Sequence, residues 1–456
     1  MTNESPTRHL FGTDGIRARF GEPPLDRETV TSLALHLAAT LRERGPEPSV
    51  VLGGDTREST PEICRWIAAG LAAGGVRARY TGVLPTPGIA YLTHQLGAVA
   101  GVVVSASHNP YPDNGIKLID PQGYKWSEAE EAALERRMET GPGGAAPREI
   151  DIQPDPALQE RYLRHLTATV PAKVPGDRPL DGFRIVLDAG NGAASPYAGE
   201  LFERLGARVT LLHASPNGRN VNQGCGSTAP EEMASRVVAE GADLGAAFDG
   251  DADRCILADE RGEVRDGDAI LYLWALGLRD SGHLVPPKIV ATSMSNLGLE
   301  RALDRAGIGL ERCGVGDRYV VEKMREKGIV LGGEQSGHIV QSELATTGDG
   351  LLTALQMAAL VHRSGRSFSE LLAGFRRYPQ VLVNIRVGRK PKFESVPRID
   401  EAKRAVDDQL GADGRLLLRY SGTEPLARVM IEGPEQGAID ALAHQLAGII
   451  REELGA

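Results

Sequence analysis

The sequence predicts an α/β protein built from three related α/β domains with mixed, largely parallel sheets, followed by a smaller α+β domain. Three segments carry the first part of that prediction: Ser49-Val-Val-Leu-Gly-Gly-Asp55, Arg184-Ile-Val-Leu-Asp-Ala-Gly-Asn191 and Lys288-Ile-Val-Ala-Thr-Ser-Met-Ser-Asn296. Each is a short apolar strand that ends in small polar residues, then runs through a helical stretch to a second apolar strand. That order favours parallel pairing with right-handed crossovers. The segments lie about 105 to 135 residues apart, a domain-sized interval rather than a solenoid repeat. A chain of 456 residues is also too long for one compact core.

The elements follow in order. Gly97 to Val104, small and β-branched, reads as a buried strand. Thr140 to Pro147 is rich in Gly and Pro and precedes Gln153-Pro-Asp-Pro156, so a linker closes the first domain near residue 155. A second Pro/Gly cluster, Pro171 to Pro179, joins a helix to a strand within the second domain. Leu244–Phe248 and Cys255–Leu257 read as strands, as does Ile329–Leu331. From Tyr378-Pro379 onward the order of elements changes, with strand Gln380–Val387, helix Pro397–Leu410, strands Arg415–Tyr420 and Arg428–Glu432, and helix Gln436–Leu454.

Composition narrows the class. Hydrophobic residues make up 41% and charged residues 25%, ordinary for a globular enzyme. The net charge of −10 disfavours a nucleic-acid binder, which needs a dominant basic face. Four scattered cysteines without a Cys-x-x-Cys pair disfavour a zinc ribbon or disulfide framework and suggest a reducing compartment. Thr2 to His9 lacks an apolar signal core, and the longest apolar stretches, Gly97–Val104 and Ala269–Leu278, fall far short of a bilayer span. The expectation is a cytoplasmic protein with no membrane partner.

Four loops carry the chemistry. In the first, Val104-Ser-Ala-Ser-His-Asn-Pro-Tyr-Pro-Asp-Asn-Gly-Ile116, a strand breaks into a polar loop that exposes Ser107 where catalytic groups of α/β proteins commonly sit. A serine there is also an ordinary N-cap or turn residue. The second, Asp249-Gly-Asp-Ala-Asp-Arg254, sets three carboxylates at alternate positions, a hard oxygen set suited to Mg²⁺ or Ca²⁺, with Mg²⁺ preferred, or else a solvated Asp/Gly turn. An EF-hand reading, with Glu260 at its twelfth position, fails because Arg254 stands where that loop needs glycine and the flanks read as strands. The third, Gly332-Gly-Glu-Gln-Ser-Gly-His338, offers Glu334, Ser336 and His338 to sugar hydroxyls, or is a purely structural turn. In the fourth, Arg419-Tyr-Ser-Gly-Thr-Glu-Pro425 with Arg428, the groups of Arg419, Ser421, Gly422, Thr423 and Arg428 make a dianion cradle without a Walker A lysine.

Together with Phe11-Gly-Thr-Asp-Gly-Ile-Arg17, Gly316-Asp-Arg-Tyr319 and Thr346-Thr-Gly-Asp-Gly350, these loops resemble the α-D-phosphohexomutases, in wording most nearly their phosphoglucosamine branch. The resemblance implies three similar domains around a central cleft, with segments 1–155, 156–258, 259–376 and 377–456; the boundary near Asp259 comes from it alone. It implies a phosphoserine at Ser107, Mg²⁺ held by Asp249, Asp251, Asp253 and a phosphoserine oxygen, and a hexose 1,6-bisphosphate as intermediate and activator. It points to Lys117, with His338, for proton transfer, and to Arg17 and Arg254 for steadying the moving phosphoryl group. Singly, Lys117 reads equally as a surface lysine, His338 as a loop hydrogen-bonder and Arg254 as a salt-bridge partner. His108 reads as structural, and neither Asn109 nor Arg57 has an assigned role. The expected partners are small hexosamine phosphates, with the chain a monomer or homodimer. Two positions depart from the family wording: Ala18, and Ala252, where a backbone of positive φ would matter. The alternatives are a phosphomannomutase/phosphoglucomutase of the same family, a Mg²⁺-dependent sugar phosphatase, which has no need of the fourth loop, and a non-catalytic sugar-phosphate binder, which has no need of an intact Ser107 and Asp triplet.

Overall fold

A computed structural model of the chain describes residues 10–12, 14–45, 47–141, 147–170, 178–421 and 424–455. The expected linker core at 142–146, the Pro/Gly cluster at 171–177, the stretch 2–9, and Thr13, Gly422 and Thr423 of the motifs lie outside the described residues.

The chain divides into two compact units, one of residues 1–293 and 311–372, the other of residues 294–310 and 373–456. The first unit carries two five-stranded sheets and the body of a four-stranded one. In chain order the strands of the first are β1 (Ile16–Arg19), β2 (Ser49–Gly54), β3 (Arg77–Val83), β4 (Ala100–Val104) and β5 (Asp113–Ile119). The second has β6 (Arg184–Asp188), β7 (Arg208–Leu212), β8 (Leu244–Phe248), β9 (Cys255–Ala258) and β10 (Val264–Arg265). The third has β11 (Lys288–Thr292), β12 (Gly309–Cys313), β13 (Leu331–Gly333) and β14 (Ile339–Gln341).

Their spatial orders are β1-β5-β4-β2-β3, β10-β9-β8-β6-β7 and β12-β11-β13-β14. The same four-strand pattern therefore recurs: 5-4-2-3, 9-8-6-7 and 14-13-11-12. In each, the first strand pairs parallel with the third (β2 with β4, β6 with β8, β11 with β13). The third then pairs antiparallel with the fourth. The repeated units inferred from the three apolar segments are real, and the sheets are mixed. The antiparallel return has a simple cause: loops 105–112, 249–254 and 334–338 are too short to cross over a sheet, which takes a dozen residues or more. Those three loops are three of the four motifs, so the candidate site residues fall at equivalent positions of three domains.

Buried strands β4 and β8 are apolar at every position, as expected of strands covered on both faces. Val50, Leu52, Val102 and Val104 pack with Ile63, Ile67 and Leu71 of the helix Thr60–Ala73 into one core. That core fixes the ends of β2 and β4, from which Asp55 and Ser107 emerge.

In the second unit, β15 (Gln380–Arg386), β16 (Arg415–Tyr420) and β17 (Leu426–Glu432) form an antiparallel sheet in the order β15-β17-β16. The helices Pro397–Leu410 and Gln436–Leu454 match the expected ranges. Ile439, Ala443, Leu446, Ala447 and Ile450 of the latter recur at helical spacing and are buried against Val429 and Ile431 of β17. Glu432 is fully buried; it accepts hydrogen bonds from Asn296 Nδ2 (3.0 Å), Leu297 N (3.2 Å) and Arg415 Nε (2.8 Å). Residues 294–310 are thereby fastened to the C-terminal sheet. Among the described residues no helix is long and apolar enough to cross a membrane.

Candidate active site

Ser107 follows β4 in the left-handed region, φ 51°, and is 2% exposed. A non-glycine residue there costs about 1 kcal/mol or more, so the surroundings must hold it. They do so mainly through Arg57. This arginine is 1% exposed and spends four donors on the serine loop and the start of β5, Nη2 to the carbonyls of Ser107 (2.9 Å) and Asn109 (2.8 Å) and Nη1 to those of Pro110 (2.6 Å) and Asp113 (3.0 Å), while Nε goes to Asp55 Oδ2 (2.8 Å). Asp55 Oδ2 also accepts from Ser105 Oγ at 2.6 Å, and Ser105 Oγ accepts the Ser107 N–H at 2.9 Å. From the second domain, Asn222 Nδ2 donates to the Ser107 carbonyl at 2.9 Å. Sequence reading missed Asp55, Arg57 and Asn222. The signal was available for the first two, since Asp55-Thr-Arg57 ends β2 as Ser107 ends β4.

Removing this cage has a predictable cost. Arg57→Ala strands a buried carboxylate and four carbonyls and should lose about 3–5 kcal/mol of stability, read as a lowered urea midpoint. Arg57→Lys keeps the charge but cannot reproduce five donors in a fixed fork. We expect it to fold, with kcat reduced about 10²-fold through misplacement of Ser107 and KM little changed.

Ser107 Oγ donates to Asp249 Oδ2 at 2.7 Å. Asp249, Asp251 and Asp253 are buried, at most 3% exposed, and can each present an oxygen within 4.8 Å of the others. Burial, then the neighbouring Asp253 and Asp251 carboxylates, push Asp249 up to about 8. Burial also works against Asp253, but Lys117 and His338 hold it well below the usual carboxylate range. Asp251 Oδ1 and Asp253 Oδ1 are buried with no hydrogen-bond partner. Three buried, crowded carboxylates, two with orphaned oxygens, fit a hard divalent cation. Between them Ala252 takes φ 55°, the strained geometry that its departure from the family's glycine put at issue.

Lys117 on β5 is 1% exposed, not a surface lysine. Its Nζ lies 2.8 Å from Asp251 Oδ2, 3.4 Å from Asp253 Oδ2 and 3.5 Å from Asp14 Oδ2. Burial opposes its charge, but Asp14, Asp251 and Asp253 outweigh burial and raise it above the usual lysine value. Asp14 also holds Arg17 Nη2 and Lys125 Nζ, each at 2.5 Å, while Arg17 Nη1 donates to the Ser105 carbonyl at 2.6 Å. Lys125 bridges onward to Asp317 of the third domain. Asp14, Lys125 and Asp317 had no sequence assignment because nothing local marks an ion pair between residues so far apart in the chain.

His338, the last residue of the third loop, is 2% exposed, whereas Ser336 is exposed. The Gly348 N–H donates to His338 Nε2 at 2.9 Å, which places the ring proton on Nδ1, 3.6 Å from Asp253 Oδ2. A Cβ on Gly348 would lie 2.7 Å from both the ring and the Asp253 carbonyl, so this close approach requires glycine. Glu334 Oε1 accepts the Gly316 N–H at 3.1 Å. Arg254 Nη1 lies 3.3 Å from His108 Nδ1, itself 3.4 Å from Ser107 Oγ. The structure thus brings Ser107, Lys117, Arg17, Arg254, His338 and the Asp triplet into one constellation.

In the second unit, Arg419 and Arg428 are directly opposed on β16 and β17. Two like charges in register repel; burial, then Arg428, lowers Arg419 from its usual value. Arg428 also meets Glu424 Oε2 at 2.9 Å. Lys390 Nζ donates to the carbonyls of Ser421 (2.6 Å) and Glu424 (2.8 Å), clamping both ends of the loop.

Known proteins share this architecture. Residues 8–142, 160–262 and 266–378 match the families described as phosphoglucomutase/phosphomannomutase alpha/beta/alpha domains I, II and III, and residues 382–449 match the corresponding C-terminal domain. A phosphoglucosamine mutase of Solibacter usitatus is 44% identical over 98% of this chain and 99% of its own length. One of Moorella thermoacetica is 45% identical with the same coverage. A phosphoglucomutase/phosphomannomutase family protein from Burkholderia thailandensis superposes with a TM-score of 0.78 at 25% identity, covering 97% of each chain. With its three repeated α/β domains, its antiparallel C-terminal sheet and full-length relatives of this kind, the chain belongs to the phosphoglucomutase/phosphomannomutase family of α-D-phosphohexomutases, enzymes that are intramolecular phosphotransferases.

Proposed function

We propose that the chain interconverts glucosamine 6-phosphate and glucosamine 1-phosphate through a phosphoserine at Ser107. The observation that carries the covalent step is the Ser107 hydroxyl itself, fixed in a strained backbone by Arg57 and 2.7 Å from Asp249 of a buried carboxylate triad. Phosphorylated, Ser107 gives its phosphoryl group to a sugar hydroxyl: the Oγ–P bond breaks, a bond from the sugar oxygen to phosphorus forms, and the proton lost by the sugar oxygen is balanced by one gained at the departing Ser107 Oγ. The resulting hexose 1,6-bisphosphate reorients and returns its other phosphoryl group to Ser107. Such transfers depend on alignment and charge stabilisation more than on covalent chemistry by the protein.

Asp249, Asp251 and Asp253, with an oxygen of the phosphoserine, would hold Mg²⁺, which when bound supplies positive charge against the transferring phosphoryl group. The residues do the rest. Arg17 and Arg254 steady phosphate charge beside Ser107. Lys117 and His338, both facing Asp253, handle the sugar hydroxyl proton, with His338 directing Nδ1–H inward rather than lying open to solvent. Glu334 and Ser336 take sugar hydroxyls, and Arg419, Ser421, Gly422, Thr423 and Arg428 take the non-reacting phosphate. The facing guanidiniums of Arg419 and Arg428 support this last role, because an anion relieves their repulsion. The corresponding domain division is 1–155, 156–258, 259–376 and 377–456, and the setting is cytoplasmic, as monomer or homodimer.

The amino-sugar assignment rests on the relatives named phosphoglucosamine mutase that span the whole chain. Glu334 is a candidate partner for the C2 ammonium. A charge contact of this kind should discriminate by roughly 1–3 kcal/mol, tenfold to a few hundredfold. Expected kcat/KM values, each primed with hexose bisphosphate, therefore favour glucosamine 6-phosphate over glucose and mannose 6-phosphates by at least about tenfold. Equal or better turnover of glucose or mannose phosphate would place the chain among phosphomannomutases/phosphoglucomutases instead. Release of free phosphate in place of isomerised product would make it a phosphatase.

A further inference from the structure

The first strand of each repeated four-strand unit ends at polar residues. In the first domain β2 delivers Asp55 to Arg57. In the second, β6 delivers Asp188 to a different set: His213 and Cys225, whose donor atoms lie with a carboxylate oxygen of Asp188 within 4.8 Å of one another. This cluster is separate from the Asp249–Asp253 triad and has no part in the chemistry above.

Its internal bonding leaves coordination capacity. Asp188 and Cys225 are fully buried. Asp188 Oδ1 accepts the Gly190 N–H and Oδ2 the Gly226 N–H, both at 2.9 Å, so the carboxylate is held rigidly while each oxygen keeps a further lone pair. His213 Nδ1 sits 3.1 Å from Asp188 Oδ2, yet it is buried and makes no hydrogen bond. The other ring nitrogen, Nε2, faces Glu232 Oε2 at 3.4 Å. With the ring proton on Nε2, on the Glu232 side, the Nδ1 lone pair is free beside Asp188 Oδ2 and within 4.8 Å of Cys225 Sγ. Carboxylate–imidazole–metal triads use this arrangement to fix the tautomer and orientation of a ligating histidine. The His213 backbone itself is in the left-handed region, φ 45°, a strained conformation that keeps the ring over the cluster.

We infer that Asp188, His213 and Cys225 form a site for a borderline divalent cation of the Zn²⁺ type, with Glu232 as the outer partner of the histidine. The donor set explains why this site and the catalytic triad take different ions. Nitrogen and thiolate select Zn²⁺-like cations, whereas three carboxylates suit Mg²⁺. Three protein ligands leave the fourth tetrahedral position for water, and the partly exposed His213 side chain gives an entry path. The chain between His213 and Cys225 carries Asn222, whose amide holds the Ser107 carbonyl. A cation here would staple the segment that supports the serine loop from the second domain.

The test uses the full chain, stripped with chelator and then supplied with excess Mg²⁺ to fill the triad. Zn²⁺ is titrated against a chromophoric competitor, and Co²⁺ serves as a spectroscopic probe. The expected result is one Zn²⁺ per chain and a thiolate-to-Co²⁺ charge-transfer band in the near ultraviolet. Cys225→Ser should abolish the band, and His213→Gln should weaken Zn²⁺ binding at least about tenfold. Glu232→Gln, a change at an exposed residue that leaves the fold undisturbed, should weaken it about tenfold, the usual cost of losing an outer partner. Three results would overturn the site: no Zn²⁺ retained beside Mg²⁺, binding indifferent to Cys225→Ser and Glu232→Gln, or binding lost in Asp251→Asn but kept in Cys225→Ser. The first would leave His213 as a simple ion-pair partner of Asp188, and the last would put the ion in the triad.

Discussion

Ser107→Ala is expected to lower mutase turnover by at least about 10³-fold while leaving the fold and sugar-phosphate affinity close to those of the unaltered chain. The substitution removes one oxygen, whose contacts are Asp249 Oδ2 and His108 Nδ1. The loop is held by main-chain groups instead: Arg57 and Asn222 grip the Ser107 carbonyl, and Ser105 takes its N–H. Alanine meets the same left-handed backbone cost as serine, so the scaffold loses little. Ser105 is the natural rival two positions earlier, but its hydroxyl is already committed to Asp55 and to the Ser107 N–H. Ser105→Ala should therefore cost stability, seen as a lowered Tm, whereas Ser107→Ala should cost chemistry with Tm unchanged. Bisphosphate-primed rates, thermal unfolding and calorimetric binding of glucosamine 6-phosphate separate the two. Substantial activity in Ser107→Ala would remove the covalent role from this residue.

The contrast between Ser107 and Arg57 shows what could be read without coordinates. The ends of β4 and β8 were legible because each apolar run stops abruptly at polar residues, and the loops that follow hold the candidate reactive groups; the third strand, expected over Ile329–Leu331, instead spans Leu331–Gly333, because the two glycines after the apolar run continue the sheet. The helices Pro397–Leu410 and Gln436–Leu454 were legible for a different reason: a proline at the first turn of one and a sustained apolar period in the other. Short loops 105–112, 249–254 and 334–338 also carried an unread message, since their length alone forces the antiparallel return that makes the sheets mixed.

What stayed illegible depends on partners distant in the chain. Arg57 looks like any arginine until four carbonyls of the serine loop and the start of β5 converge on it. Lys125 and Asp317 meet across domains, and Asn222 reaches Ser107 from a loop of the second domain. The third loop marked His338 for a sugar and for proton transfer, but nothing in it marks Gly348, which is brought close by the start of the helix Gly350–Ser364 and fixes the ring beside Asp253. Residue type and local pattern name the candidates for chemistry; the buried groups that position them emerge only when the sheets are laid side by side.

Asp251→Asn is the second change expected to have a large effect, a loss of at least about 10²-fold in Mg²⁺-supported turnover. Asp251 stands at the junction of two demands. Its Oδ2 accepts from Thr86 Oγ1 at 2.5 Å and from Lys117 Nζ at 2.8 Å, while its Oδ1 is buried without a partner. An asparagine keeps the shape but removes one of three carboxylates from the cation and the nearest counter-charge from a buried ammonium. The two consequences have different signatures. Loss of a metal ligand raises the Mg²⁺ concentration needed for half-maximal activity and shrinks the increase in Tm that Mg²⁺ gives, by mass action on the folded state. Loss of the Lys117 counter-charge lowers kcat at every Mg²⁺ concentration and should be shared by Lys117→Met, which leaves the triad whole. A variant that recovers full activity in saturating Mg²⁺ would assign Asp251 to the cation alone. Full activity of the unaltered chain in excess chelator, or of Asp251→Asn without added Mg²⁺, would take the cation out of the mechanism. The orphaned Oδ1 atoms of Asp251 and Asp253, set against an Asp249 carboxyl raised to about 8, argue for both demands at once: the pocket holds more negative charge than Lys117 can neutralise.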